Sequence, residues 1–236
     1  MSIFKTRLEF DQFYEETRSN RRYIYSKRVN RFLSGFREAV KKNYIQIDKD
    51  NILYRAQKGV NEETNSYTKE CKAFDAKRMV PIWGKAKEGR INPKGIPYLY
   101  LADNKRITLY EVNPWKGEKV SLARFRVRTK LKMVYFNFYL KYYENQVYQV
   151  ERKKDIDTQV WNKINIAFSK PVLDSDFNAD YVPTQILAEI IKDEGFDGIM
   201  YTSQYGEYYN YCLFNLLDAE FLDSEIVTIK NIKLQI

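Results

Sequence analysis

The chain contains no histidine, and only two cysteines occur in its 236 residues. The first absence excludes Ser-His-Asp and Cys-His nucleophile systems, imidazole zinc sites and a histidine pH switch. Two cysteines, Cys71 and Cys212, are too few for a disulfide framework or a cysteine-built metal cluster, so no metal is expected. No stretch approaches 18 consecutive apolar residues, and the opening MSIFKTRLEF lacks the apolar run of a signal peptide. The expectation is a soluble, cytoplasmic, reduced chain with no membrane partner. At this length it forms one large domain or two small ones.

What the chain has is charge and aromatic rings. The net charge is +9, spread as +5 over residues 1–50, +13 over 51–154 and −9 over 155–236. A basic middle attracts phosphates of a nucleic acid or a dinucleotide, or it folds against the acidic third of its own chain. Phe, Tyr and Trp together make 37 residues, 20 of them Tyr, which suits ring stacking and equally a β-rich core.

Residues 6–46 read as two polar helices, with Phe32, Phe36 and Val40 on one apolar face. Asn51–Ala56 is a short apolar strand. Residues 57–97 hold seven of the fifteen glycines and prolines and read mainly as loop. Tyr98–Ala102 is a strand and 105–113 a short helix; Val120–Val127 and Leu131–Phe138 alternate like paired strands. Residues 157–168 and 184–194 read as helices, and Phe196–Ser203, Tyr209–Leu216 and Ile226–Ile236 as strands. The fold class is α+β, a mixed β-sheet with surrounding helices.

Polar residues gather at strand ends. Arg55 follows an apolar strand, where it is either a surface ion-pair residue or a fixed clamp on phosphate or ribose. The segment Gly89-Arg90-Ile91-Asn92-Pro93-Lys94-Gly95-Ile96-Pro97 enters the strand that carries Tyr100, and Glu111 lies nine residues past Ala102. A glutamate on a short helix is ordinarily a solvated residue. Phe196–Ser203 leads from a helix end into a strand finishing on hydroxyls, and Asn210 follows. Without a histidine, Ser203 serves as a hydrogen-bonding group.

Taken together, Tyr54-Arg55, GRINPKGIPYLYLA with Glu111-Val112, and FDGIMYTS with Asn210 and Leu213-Phe214 resemble the RES domain, a family named for an arginine, a glutamate and a serine. Here these would be Arg55, Glu111 and Ser203, within residues 50–217. Two positions depart from the family's usual pattern: Ile107-Thr108 stand where Thr-Ala is common, and Tyr205 stands where an arginine often follows the serine. The resemblance implies an ADP-ribosyltransferase-like fold and an enzyme that degrades NAD as its substrate, with no other cofactor. It also implies a toxin restrained by a helix-turn-helix antitoxin. Residues 1–49 would be an N-terminal helical extension and 50–236 the NAD-binding catalytic domain.

The residues suit that chemistry. Cleaving the nicotinamide–ribose bond passes through an oxocarbenium-like sugar. Nicotinamide leaves from a cationic ring, so the need is a carboxylate to stabilise developing charge, and Glu111 is the candidate. Tyr100 would be the aromatic platform, Arg55 the pyrophosphate or ribose contact, Ser203 and Asn210 orienting groups, and Arg90 a phosphate-side contact. The acceptor is water, inorganic phosphate or, in a mono-ADP-ribosyltransferase, a protein. The contrasting class is a basic nucleic-acid-binding module, but basic residues do not recur along one helix face and no groove-reading motif occurs.

Overall fold

The computed structural model describes residues 2–65, 68–136, 140–143, 146–149, 155–170, 178–205 and 208–231. Helices α1 (Glu9–Ser19) and α2 (Lys27–Val40) form the polar N-terminal pair. The Ser26 hydroxyl caps α2 by accepting from the Val29 amide, and Phe32, Phe36 and Val40 are buried as their spacing predicts. Strands β1 (Tyr44–Ile47) and β2 (Ile52–Lys58) follow. The stretch expected to be mainly loop instead begins with a hairpin, β3 (Asn61–Asn65) and β4 (Thr68–Lys72), and the short helix α3 (Ala76–Met79). The hairpin reads as loop in sequence because its strands, NEETN and TKECK, are polar and carry no apolar alternation.

Next come β5 (Leu99–Ala102), α4 (Lys105–Glu111), β6 (Lys119–Val127) and β7 (Leu131–Tyr135). A second hairpin, β8 (Leu140–Tyr143) and β9 (Gln146–Gln149), precedes α5 (Ile156–Ser169) and α6 (Val182–Asp193). Strands β10 (Gly198–Thr202), β11 (Tyr209–Leu213) and β12 (Ala219–Thr228) complete the described chain. The final strand therefore starts seven residues earlier than its sequence pattern predicts and ends at Thr228; residues 232–236 lie outside the described residues.

Eight strands form one mixed sheet in the order β1-β7-β10-β11-β5-β2-β6-β12, with β10 and β7 parallel and the other neighbours antiparallel. The expected pairing of β6 with β7 does not occur: β6 pairs β2 and β12, and β7 pairs β1 and β10. Alternation records that a strand buries one face, not which strand lies beside it. Five strand steps, about 24 Å in a flat sheet, separate β7 from β6. The three linking residues reach at most about 15 Å between the strand ends. The sheet must curl so that the two strands approach, and Phe125, Val127, Leu131 and Met133 share one core inside that curl. The result is α+β.

Helices α1, α2, α5 and α6 cover the other face through Phe32, Phe36, Trp161 and Ile191 against Val134, Ile199 and Cys212. Phe4, Phe10, Phe13, Phe32 and Phe36 of the N-terminal segment thus join the core over the sheet, and Asp157 fastens its start by accepting from Ser2 Oγ and from the Ile3 and Phe4 amides at 2.6–3.0 Å. The segregated charges also meet. Asp223 pairs Arg124, Glu220 pairs Arg126 and Arg128, and Glu225 pairs Lys105. Part of the basic middle is therefore neutralised by the acidic third across β6 and β12. Among the described residues no helix is long and apolar enough to cross a membrane.

Candidate functional site

Tyr54, Ala102, Asn210 and Tyr201 lie directly opposite one another across β2, β5, β11 and β10. Paired residues of adjacent strands project from the same face, so these four form one row. The chain leaves β5 at Ala102, turns, and starts α4, whose first amides at Arg106 and Ile107 are capped by Asn104 Oδ1. Two turns later the helix stops, with Asn113 in the left-handed region at φ 45°. Glu111 thereby sits above the row.

Its carboxylate is held from below. Asn210 Nδ2 donates to Glu111 Oε1 at 2.8 Å, and Ser203 Oγ donates to the same oxygen at 3.0 Å. Both donors are buried whereas Glu111 is exposed. A carboxylate in the last turn of a helix opposes the negative end of the helix dipole. Two neutral donors offset that cost and fix one oxygen, while Oε2 has no protein donor among the described residues. Ser203 is fixed in turn, because its Oγ accepts from the Tyr205 amide at 3.2 Å. Burial, and next the Glu111 charge, push the Tyr205 hydroxyl above its ordinary pKa.

Arg55 extends from β2 toward β5, where its Nη1 reaches the Tyr100 carbonyl at 3.4 Å. Its Nε is buried without a hydrogen-bond partner. Burial lowers the guanidinium pKa to about 10, and no carboxylate lies close enough to restore it. A guanidinium so placed has donors to offer an anion. No hydrogen bond or ion pair among the described residues joins Arg55 directly to Glu111.

The Gly89–Pro97 segment is shaped around Tyr100. The tyrosine hydroxyl donates to Asn92 Oδ1 at 2.9 Å and accepts from the Ile91 amide at 3.0 Å. Asn92 Nδ2 donates to the carbonyls of Lys87, Pro93 and Ile96. A Cβ on Gly89 would lie 2.5 Å from Asn92 Oδ1 and 3.0 Å from the Tyr100 hydroxyl, so glycine is required there. Thr184 and Gln185, on the first turn of α6, bond the backbone of Arg90, Gly89 and Asn92 and staple the segment from outside. Arg90 is half-buried and donates from Nη1 to the Phe168 carbonyl.

Sequence reasoning passed over Tyr201. It is buried, and burial above all raises its pKa, with the Arg90 and Glu111 charges both within electrostatic reach of its hydroxyl. Its position two residues before Ser203 and opposite Asn210 is the signal that strand alternation offered. The structure thus gathers Glu111, Ser203 and Asn210 by direct hydrogen bonds and joins Arg55 to Tyr100. Among the described residues Arg90 is not hydrogen-bonded to the Glu111 group; the two share electrostatic proximity to Tyr201. Among the described residues no group of three His, Cys, Asp or Glu side chains could hold a metal ion.

The family model described as the RES domain matches residues 54–235. Among solved structures, the chain is similar to one in the crystal structure of the M. tuberculosis MbcT-MbcA toxin-antitoxin complex. The two share 14% identity over 82% of this chain and 92% of that one, with a TM-score of 0.44. No curated protein matches.

Proposed function

The chain belongs to the RES-domain family, and from that premise we propose that it consumes NAD by cleaving the bond between nicotinamide and ribose. The observation that carries this reading is the pinned carboxylate: Glu111 is exposed on one side and held on the other by Ser203 and Asn210. In the reaction the C–N bond breaks with its electron pair passing to the pyridinium nitrogen, so nicotinamide leaves neutral. Positive charge then develops on the ribose carbon and ring oxygen, and Glu111 Oε2 faces that charge while Oε1 stays fixed. A donor-held carboxylate needs no reorganisation as the charge appears, which is the source of the rate gain.

Arg55, whose Nη1 touches the Tyr100 carbonyl, supplies an unneutralised guanidinium for the nicotinamide-side phosphate of the pyrophosphate or the ribose next to it, and Tyr100 is the aromatic platform for the nicotinamide ring. Ser203 and Asn210 act through Glu111 and are positioning residues for it. The acceptor is water or inorganic phosphate, whose oxygen attacks the ribose carbon and releases a proton where a hydrogen is attached. An enzyme that drains NAD is toxic to the cell that makes it. We therefore read the chain, with its family resemblance, as a toxin restrained by an antitoxin partner.

The deciding experiment incubates purified protein with NAD in phosphate-free buffer and again with phosphate, and identifies products by mass. Free nicotinamide with ADP-ribose identifies a glycohydrolase; free nicotinamide with a phosphorylated ADP-ribose identifies a phosphorylase. ADP-ribose attached to a protein would instead identify a transferase, and intact NAD in every condition would contradict the reading.

A further inference from the structure

Beside the carboxylate site, on the outer flank of α4, lies a cavity of about 710 Å3. Its volume falls within the range of small-molecule sites. One wall is aromatic: the rings of Tyr110 and Tyr205 touch with centroids 5.6 Å apart and planes 32° from parallel. Tyr205 is locked there by its hydroxyl, which donates to Asn113 Oδ1 at 3.2 Å, and by its amide on Ser203. Leu109 adds apolar surface. Among the described residues, the charged side chains on the lining are Arg106 and Lys230, and none is acidic. Neither cation is in a salt bridge among the described residues.

We propose that this cavity binds a planar heteroaromatic ring carrying a phosphate, the chemistry of a mononucleotide, with the ring against Tyr110 and Tyr205 and the phosphate between Arg106 and Lys230. An apolar wall of π-faces takes a base of any identity. Two uncompensated cations on an otherwise neutral lining select an anion over a neutral nucleoside. The Tyr205 amide bonds Ser203, which bonds Glu111, so the cavity and the reacting end share one rigid connection. Under the NAD reading this group is the adenylate end of the dinucleotide, and that identification rests on the reading; the cavity's ligand chemistry does not. The tyrosine at position 205 then has a purpose: it supplies ring surface.

The test titrates AMP into the full chain by calorimetry, beside adenosine and inorganic phosphate alone. Saturable AMP binding is expected, with adenosine and phosphate each at least about tenfold weaker. Tyr110→Ala removes a stacking face and weakens AMP by about tenfold or more, the scale of one base–aromatic stack. Arg106 is exposed, so Arg106→Glu keeps the fold and reverses the charge, and it weakens AMP by a similar factor. Failure of AMP to bind, or equal binding by wild type and Arg106→Glu, would overturn the proposal. AMP that competes with NAD identifies the adenylate subsite; AMP that binds through these residues without competing identifies a separate nucleotide site. Binding through these residues by a chain that consumes no NAD keeps the cavity assignment and removes the NAD reading instead.

Discussion

Asn210 donates to the Glu111 oxygen that Ser203 also holds, 2.8 Å from a strand in the middle of the sheet to the end of a helix on its face. A solvated surface glutamate has no such tether. The contact ties residues 99 positions apart and makes the carboxylate's position a property of the core.

Removing either tether frees the carboxylate without removing its charge. Ser203→Ala and Asn210→Ala are each expected to lower kcat by about tenfold to a hundredfold, the scale on which slight misplacement of a reacting group costs rate. The stability cost should be about 1 kcal/mol, as for one hydrogen bond. The double variant should lose less than the product of the two single losses, because both act through one oxygen. Steady-state kinetics on the three proteins checks this, and independent losses would show that the two donors serve different atoms.

Arg55 sets function against stability. Its folded pKa, about 10, lies below the ordinary guanidinium value, so the charged form disfavours the fold. For a base with a lowered folded pKa, the unfolded chain binds more protons between the two values, and stability rises with pH across that window. Arg55→Met should therefore raise the thermal midpoint of the ligand-free protein near neutral pH and weaken NAD binding. Its stability advantage over wild type should shrink as pH climbs above about 10. Melting curves from pH 8 to 11 read the difference; an advantage that stays constant would place the cost elsewhere.

The docking of the N-terminus rests on Asp157. Although burial opposes it, bonds from Ser2, Phe4 and Ile3 hold this carboxyl below its ordinary pKa. A lowered folded value adds stability above the unfolded pKa and loses it as pH falls through the folded one. Asp157→Ala should cost about 1–2 kcal/mol, and the gap to wild type should close in acid, below about pH 4. Urea unfolding at pH 7 and pH 3 measures both.

The parts of this molecule legible in sequence are those written locally. Glu111, Ser203 and Asn210 stand at or next to strand or helix ends, where Pro, Gly and apolar runs mark the boundaries. Arg55, expected at the end of a strand closing at Ala56, instead lies in the middle of β2, which continues to Lys58 against β6. The helices are readable from Phe32, Phe36 and Val40 or from the Pro183–Gly195 bracket. What escaped is lateral. The neighbours of β6 and β7 depend on how the sheet curls, and the β3–β4 hairpin has no apolar face to announce it. Tyr201 is one buried tyrosine among twenty until β10 is set against β11 and Arg90 is brought up to it. Thr184 and Gln185 read as the opening of a helix, and only the packed structure shows them stapling the Gly89–Asn92 backbone.

The most direct measurement compares NAD turnover by wild type and Glu111→Gln in the same buffer. Glutamine keeps the side chain's size and can still accept from Ser203 and Asn210, but it carries no charge toward the ribose. A neutral group at the end of α4 also relieves the opposition to the helix dipole, so the thermal midpoint should stay level or rise slightly. Losing charge stabilisation of a transition state costs about 3–4 kcal/mol, a factor of about a hundred to a thousand. The charge-stabilising role of Glu111 predicts folded Glu111→Gln protein that binds NAD within about tenfold of wild type and turns it over at least about a hundredfold more slowly. Turnover by that variant at the wild-type rate would contradict it.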